Sequence, residues 1–120
     1  MAGITTHVLD NLVGLPGAGM RIDLSIFEGG SWKLLRTLVT NADGRTDQPV
    51  LSPTEAKVGQ YELAFYIGDY YAAQGGGKVP SEAMFVDRVA PLRFSLFDTK
   101  QHYHVPMLCT TWSCATYRGS

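Results

Sequence analysis

The sequence predicts an all-β fold, a sandwich or barrel of short strands in a single domain over residues 1–120. Three observations lead to this prediction. Polar and apolar residues alternate with a period of two along most of the chain, which is typical of strands with one buried face. Turn sequences with glycine and proline interrupt this alternation at short, regular intervals. A single segment, near residue 70, has the composition of a helix.

The first third of the chain predicts three strands. Residues 4–10 are rich in β-branched side chains and predict a strand, and the glycines and proline at 14–19 predict the turn after it. Residues 20–27 alternate polar and apolar side chains and predict the second strand. The sequence Glu-Gly-Gly-Ser at 28–31 predicts a hairpin turn, which leads into a third strand over 32–40.

The middle of the chain begins with a predicted tight turn over residues 41–44, because its Asp-Gly pair tolerates positive φ. Residues 45–51 then predict a short or edge strand, which Pro49 limits because proline cannot donate to a sheet ladder. Residues 52–59 predict a loop, and residues 60–67 predict the next strand.

The one predicted helix covers residues 70–74, with Asp69 as its N-cap and Gly75 as its end. The glycine-rich segment after it predicts a flexible connector. Three more strands are predicted over residues 89–97, 101–109 and 112–119.

Charge and composition exclude several classes of partner. The formal net charge of −1 argues against nucleic acid, because phosphate binding requires a basic surface. Such a small charge also leaves the association of copies into an oligomer unopposed. No apolar run is long enough to span a bilayer, and residues 1–7 show no secretory signal. We therefore expect no membrane association and a cytoplasmic location.

Two cysteines, Cys109 and Cys114, flank a short polar stretch at residues 110–113. A disulfide across this predicted hairpin is one interpretation. The other is a pair of reduced, half-buried thiols, which the rarity of disulfides inside cells favours.

Two histidines are predicted to lie on outer faces of the sandwich. If Val8 points into the core, then its neighbour His7 points away from it. His104 lies between Tyr103 and Val105, and the same alternation directs it outward. Both histidines are either ordinary polar surface residues or members of a site on that face.

His102 lies two residues before His104, so the two share one face of a strand. Such a pair can chelate a metal, but zinc requires three or four ligands and no further partner set is visible in the sequence. We therefore predict no metal site, and His102 has no assigned role.

Arg45 follows the Asp-Gly turn. It is either a solvated turn arginine or a guanidinium fork that a rigid turn presents to a planar anion or a carbonyl edge.

Ser113 is not part of a Gly-x-Ser-x-Gly elbow, and the glycines at 75–77 lack the Lys-Ser/Thr of a phosphate-binding loop. Neither an α/β-hydrolase nucleophile nor a phosphate cradle is predicted.

The last four residues, Tyr117, Arg118, Gly119 and Ser120, are polar and basic. Chain termini are usually disordered unless contacts hold them. A tyrosine and an arginine this close to the end therefore predict a terminus that is held, and that contributes to a site.

Six segments together carry a resemblance to a known family. They are Thr-His-Val-Leu-Asp at 6–10, Asn-Ala-Asp-Gly-Arg-Thr-Asp at 41–47, Tyr-Glu-Leu at 61–63, Gly-Asp-Tyr-Tyr at 68–71, His-Tyr-His-Val-Pro at 102–106 and Tyr-Arg-Gly-Ser at 117–120. In this order they resemble the 5-hydroxyisourate hydrolases, which are related to transthyretin. The terminal tetrapeptide is the most specific segment, because it separates the hydrolases from the hormone carriers.

The resemblance implies a transthyretin-like sandwich of two four-stranded antiparallel sheets with one short helix, assembled as a homotetramer that is a dimer of dimers. It implies hydrolysis of 5-hydroxyisourate, the product of urate oxidation, to 2-oxo-4-hydroxy-4-carboxy-5-ureidoimidazoline, without a cofactor. The implied catalytic residues are His7, Arg45, His104 and Ser120, and the implied substrate-binding residues are His7, Arg45, Tyr117, Arg118 and Ser120.

A single outer sheet face forms no pocket. We therefore expect two such faces to pair across a two-fold axis, so that each site takes residues from two subunits. Arg45 is expected to clamp a carbonyl edge of the substrate and stabilise developing negative charge. His7 and His104 are expected to handle the attacking water and the leaving ring nitrogen. Ser120 is expected to hydrogen-bond the substrate or the water. Tyr117 and Arg118 are expected to anchor the terminus and to form a wall of the pocket.

This chain has Cys114 and Ala115 where the family usually has an aromatic residue and a hydroxyl, so the resemblance does not predict how tightly the last strand packs.

Two alternative functions also remain. A non-catalytic carrier of the transthyretin type would use the same channel, although an iodinated aromatic hormone favours apolar walls. An immunoglobulin-like adhesion module would require export and would have no pocket.

Overall fold

The computed structural model describes residues 3–73 and 85–119. These residues form two four-stranded sheets and one short helix, as the resemblance implies. The elements are β1 (Gly3–Asp10), β2 (Leu15–Pro16), β3 (Arg21–Glu28), β4 (Ser31–Val39), β5 (Gly59–Phe65), α1 (Ile67–Ala73), β6 (Ala90–Leu96), β7 (His102–Cys109) and β8 (Cys114–Thr116). The strand order is β2-β1-β7-β8 in the first sheet and β4-β3-β5-β6 in the second.

Alternating side chains from both sheets form the core. Ile4 and Val8 of β1 are fully buried in one cluster with Leu24 of β3 and Leu63 of β5. Burial of each such side chain contributes about 1.5–3 kcal/mol. Because neighbouring residues of a strand point to opposite faces, this burial directs His7 to the outer face of the first sheet.

The pairing of β1 with β7 corrects the arrangement of two purely antiparallel sheets that the resemblance implies. These strands run parallel, with Thr5 opposite His104 and Val8 opposite Met107. The other pairings are antiparallel. Parallel neighbours need a crossover connection, and here the entire second sheet lies between them in sequence. Local alternation contains no information about the direction of a partner strand 99 residues away.

The prediction of a short or edge strand over residues 45–51 is wrong, because this segment forms no strand. Leu51 alone in this segment bridges to β1, through backbone hydrogen bonds of 2.9 and 3.2 Å with Ile4. Other polar groups of the segment bond locally, and the Thr46 hydroxyl donates to the carbonyl of Gln48. Turn chemistry therefore replaces the ladder that the sequence pattern predicts.

The helix begins earlier than predicted, at Ile67, so the predicted strand over 60–67 extends two residues beyond the observed end of β5 at Phe65. Ile67 is fully buried, and Asp69 lies in the first turn instead of capping it. The Asp69 carboxylate lies 2.8 Å from Nε of Arg88. The predicted end at Gly75 and the glycine-rich connector fall outside the described residues. In the described part of the chain, no helix is long and apolar enough to cross a membrane.

A buried carboxylate attaches α1 to the end of β1. The Asp10 carboxylate accepts hydrogen bonds from the hydroxyls of Tyr70, at 2.8 Å, and Tyr71, at 2.7 Å. The amide of Leu12 donates a third, at 3.0 Å. Three donors compensate for the burial of this polar group, which would otherwise destabilise the fold.

Cys109 and Cys114 lie opposite each other on β7 and β8, and both thiols are free. This agrees with reduced cysteines, although the expectation that both are half-buried is wrong. Cys109 is buried and Cys114 is exposed. Burial raises the pKa of the Cys109 thiol to about 11, so little thiolate forms there at neutral pH.

Candidate active site

The outer face of the first sheet carries the predicted histidines. Thr5 and His7 of β1 lie beside His102 and His104 of β7, because the parallel register places Thr5 opposite His104 and Gly3 opposite His102. His7 and His104 are half-buried, and His102 is exposed. Three imidazoles and a hydroxyl therefore share one surface, outside the apolar core.

His7 is held by the turn that follows β4. Its Nε2 lies 3.0 Å from the carbonyl oxygen of Asp43, so Nε2 carries the hydrogen and Nδ1 keeps a lone pair in the neutral ring. The turn packs directly on β1, where the amide of Val8 donates to the carbonyl of Gly44 at 2.8 Å. Gly44 has a φ of +76°, and a Cβ there would overlap the carbonyl oxygen of Val8. This contact therefore requires glycine.

The same turn carries Arg45. The Asn41 side chain organises it, because its Oδ1 accepts the amides of Asp43 at 2.9 Å and Arg45 at 3.2 Å. Its Nδ2 donates to the Asp47 carboxylate at 3.0 Å. Arg45 is exposed, and its guanidinium forms no ion pair with any described carboxylate. A guanidinium with unused donors on a rigid turn suits a carbonyl edge or a planar anion.

Thr5 connects the two histidines of β7. Its Oγ1 lies 2.8 Å from Nδ1 of His104 and 2.9 Å from Nε2 of His102. No described residue hydrogen-bonds to Nε2 of His104, so this nitrogen is available to a bound molecule. The hydroxyl of Thr5 is therefore the hydrogen-bond partner of Nδ1 of His104, either as donor or as acceptor.

Burial lowers the pKa of His104, and the positive charge of Arg45, together with His102 and His7 in their protonated forms, lowers it further. The His104 ring is therefore neutral at pH 7 and can accept a proton. Arg45 lines the same depression as Thr5, which contacts His102 and His104, and His7 bonds to the turn that carries Arg45. The structure thus brings together three of the residues that the sequence predicts for the site.

Arg118 anchors the segment after β8. Its Nη2 lies 2.8 Å from Oε1 of Gln101 and 3.2 Å from the carbonyl oxygen of His102. Its guanidinium lies 4.5 Å from the centroid of the Tyr103 ring. These contacts agree with the predicted anchoring role, whereas a contact of Arg118 with substrate stays a prediction.

The terminal segment reaches His104 itself. The amide of Gly119 donates to the carbonyl of His104 at 2.7 Å, and a Cβ at residue 119 would lie 2.8 Å from Cδ2 of the His104 ring. Tyr117 is exposed and, with Gly119, lines a depression beside His102. The terminus is therefore held up to Gly119, as predicted. Ser120, a predicted catalytic residue, lies outside the described residues.

Sequence reasoning missed Thr5 and Asn41. A signal for Thr5 was present, because it lies two residues before His7 and so shares its outer face. The signal for Asn41 was its place at the first position of an Asp-Gly turn, where asparagine often accepts backbone amides. Within residues 3–73 and 85–119, no group of three or more His, Cys, Asp or Glu side chains is arranged to hold a metal ion.

Comparisons with known proteins agree over the full chain. Residues 4–119 match the HIUase/Transthyretin family. A 5-hydroxyisourate hydrolase of Pseudomonas aeruginosa is 48% identical over 120 residues, which are 100% of this chain and 93% of that protein.

Two solved structures share the fold at substantial sequence identity. The structure of Klebsiella pneumoniae 5-hydroxyisourate hydrolase has a TM-score of 0.78 and 32% identity, with 100% of both chains covered. The crystal structure of (S)-allantoin synthase has a TM-score of 0.84 and 40% identity. The match covers 99% of this chain but 44% of that one, so this chain spans less than half of that protein.

Proposed function

Because the chain belongs to the HIUase/Transthyretin family, we propose that it hydrolyses 5-hydroxyisourate in urate degradation. The product would be 2-oxo-4-hydroxy-4-carboxy-5-ureidoimidazoline. One observation supports this proposal most: His7 and His104 lie on one outer sheet face, and the turn that carries Arg45 packs against β1 there. They do so in a chain that is 48% identical to a 5-hydroxyisourate hydrolase along its whole length.

The proposed reaction opens a cyclic amide with water. The water oxygen bonds to the ring carbonyl carbon while a histidine takes a water proton, and a tetrahedral oxyanion forms. The ring C–N bond then breaks, the nitrogen receives a proton, and the former carbonyl becomes a carboxyl group. General base assistance of this kind contributes about 10²–10⁴-fold in rate.

The two histidines supply the proton transfers in this proposal. His104 has a lowered pKa and an unused Nε2, which suits a proton acceptor at neutral pH. His7 donates from Nε2 to Asp43, so its Nδ1 is the nitrogen left for the reaction. Either ring can take the proton of water while the other serves the leaving nitrogen.

Arg45 and the terminus complete the proposed site. Two parallel hydrogen bonds from the Arg45 guanidinium would hold the carbonyl edge of the planar substrate and stabilise the oxyanion. Ser120 would hydrogen-bond the substrate or the water. Tyr117 would wall the site, and Arg118 would wall it while anchoring the segment through Gln101.

We also propose that the working particle is a homotetramer, a dimer of dimers, with sites where subunits meet. The outer face of the first sheet is open, and a second copy across a two-fold axis would enclose it. Exposed apolar side chains at one end of this sheet support such burial: they are Leu12, Val13 and Leu15.

We also propose a cytoplasmic location. The free thiols of Cys109 and Cys114, which lie opposite each other on β7 and β8, fit this location because disulfides are rare inside cells.

The experiment follows ultraviolet absorbance after urate and urate oxidase are mixed. Adding this protein should accelerate decay of the absorbing intermediate, and EDTA should leave that acceleration unchanged. Arg45→Ala should remove most of it, whereas Arg93→Ala should retain it, since Arg93 lies on the other sheet. An unchanged rate of decay with the wild-type protein would contradict the proposal, and a pure carrier would give that result.

A further inference from the structure

One hydroxyl is shared by two histidine rings. Thr5 Oγ1 lies 2.9 Å from Nε2 of His102 and 2.8 Å from Nδ1 of His104. A hydroxyl has a single hydrogen, so it can donate to one ring and must accept from the other. The tautomer of His102 and the tautomer of His104 are therefore coupled through Thr5.

Two arrangements satisfy all three groups. In the first, Nδ1–H of His104 donates to Thr5, Thr5 donates to Nε2 of His102, and Nε2 of His104 has a lone pair. In the second, Nε2–H of His102 donates to Thr5, Thr5 donates to Nδ1 of His104, and Nε2 of His104 carries a hydrogen. Only the first arrangement lets neutral His104 accept a proton at Nε2, the nitrogen that no described residue occupies.

We propose that Thr5 and His102 are positioning residues that hold His104 as the Nδ1–H tautomer, ready to accept a proton at Nε2. This inference rests on the proposed function and deepens it, because it assigns the proton-accepting role to His104 rather than to His7. A free neutral histidine prefers the Nε2–H form, so the first arrangement holds both His104 and His102 in the less common tautomer. Once His104 is protonated, the Nδ1–H···Oγ1 bond also orients the imidazolium, as a carboxylate does in a Ser-His-Asp triad.

The backbone around these groups restricts their movement. Thr5 lies directly opposite His104 in the β1–β7 ladder, and its β-branched side chain has few χ1 rotamers. On its other side, the His104 ring packs against the backbone of Gly119. Two paired strands and the terminal segment thus fix the three groups.

Two pairs of variants separate the hydroxyl from general packing. Thr5→Val removes the hydroxyl but keeps the shape, and Thr5→Ser restores the hydroxyl. His102→Phe removes the acceptor nitrogen from an exposed position, and His102→Gln restores an acceptor near it. Thr6→Val is the matched control, because its hydroxyl points to the opposite face and donates to the carbonyl of Val105 at 2.6 Å.

The first readout is the ¹⁵N NMR spectrum of His104 in protein labelled at histidine, which reports the tautomer without any substrate. We expect the Nδ1–H form in the wild type, Thr5→Ser, His102→Gln and Thr6→Val. We expect the Nε2–H form in Thr5→Val and His102→Phe. The second readout is steady-state kinetics, in which these last two variants should lose about tenfold to a hundredfold in kcat with little change in KM.

The Nε2–H tautomer in the wild-type protein would overturn the inference, and so would an unchanged tautomer in both Thr5→Val and His102→Phe. If Thr5→Val does not fold, His102→Phe still decides, because the substituted position is exposed. A wild-type protein with the Nδ1–H tautomer that does not hydrolyse 5-hydroxyisourate would instead overturn the proposed function while leaving the hydrogen-bond arrangement in place.

Discussion

His104 shows how the surroundings of a single residue set its proton affinity. Burial and the nearby charges of Arg45, His102 and His7 all lower its pKa. A lower pKa makes the ring a weaker base, but it also keeps the ring neutral throughout the neutral pH range. General base catalysis needs both the neutral form and proton affinity, so a modest lowering keeps the ring useful.

Replacing His104 with asparagine tests this role directly. We expect His104→Asn to lower kcat by about 10²–10⁴-fold, because the proton acceptor is lost while polarity is kept. Circular dichroism and size-exclusion chromatography should show an unchanged fold and particle size. Near-wild-type turnover of His104→Asn would remove this ring from the mechanism.

The lowered pKa of His104 also predicts a pH dependence. The acid limb of kcat/KM should lie below pH 6.5, because the reaction requires the neutral ring. The free energy of unfolding should fall as pH decreases from about 6.5 through the lowered native pKa, because the unfolded chain binds the proton more readily. His104→Asn should weaken that decrease in urea denaturation between pH 5 and 8. An acid limb centred above pH 6.5 would contradict the expected direction.

At this scale, the sequence predicted the outward direction of His7 and His104 correctly, because alternation within one strand needs no knowledge of the partner strand. The role of Thr5 could not be predicted in the same way. It depends on the register between β1 and β7, which places a hydroxyl between two rings about 97 and 99 residues away.

Among the elements, the terminal segment matters most to the site because it packs against the His104 ring. Gly119→Ala would place a Cβ 2.8 Å from Cδ2 of that ring, so the ring or the segment must move. We expect kcat to fall at least about tenfold with little change in Tm, since misplacement by an ångström is costly in an oriented site. Gly59→Ala is the control, because its Cβ would meet only ordinary contacts with Ile26. Equal kinetics in both variants would contradict the role of this contact.

The helix is attached through Asp10, and this attachment can be measured as stability. Tyr71→Phe removes a 2.7 Å hydrogen bond to a buried carboxylate and should lower the free energy of unfolding by about 1.5–3 kcal/mol in urea denaturation. Tyr66→Phe removes a 3.0 Å bond to Asp23, which keeps Arg21 and Thr37 as partners. That control should lose less, and a larger loss in Tyr66→Phe would contradict the argument.

Strong alternation predicted β1 and β3 to within one residue at each end. The segment at residues 45–51 was misread because its backbone groups bond within turns and to Ile4, a tertiary contact that no local pattern contains. The start of α1 was misread for a related reason. Burial of Ile67 in the core, rather than a capping side chain, decides where the helix begins.

For the whole molecule, the open outer face of the first sheet supports the proposed assembly of several copies. His7, His104 and Arg45 lie on a surface that solvent reaches, and oxyanion stabilisation is strongest where water is excluded. Enclosure by a second copy would supply that exclusion. The sequence indicated enclosure by a second copy only through the resemblance, because the composition shows only that the net charge is too small to oppose association.

The proposed assembly predicts an activity that depends on concentration. Specific activity should fall on dilution over the range in which light scattering shows the tetramer dissociating. Arg36 lies on β4, an edge strand of the second sheet, so Arg36→Ala should show the same dilution curve as the wild type. A dissociated monomer with full specific activity would contradict a site at the subunit interface.

The parallel pairing of β1 with β7 has a consequence for biosynthesis. Residues 3–10 leave the ribosome before their neighbour in the sheet, which is translated about 99 residues later. Pairings of such long sequence separation form slowly, because a large loop must close before any contact stabilises it. The histidine face therefore arises in a late folding step, and a nascent chain that stalls before β7 exposes the unpaired edge of β1 to chaperones and to aggregation.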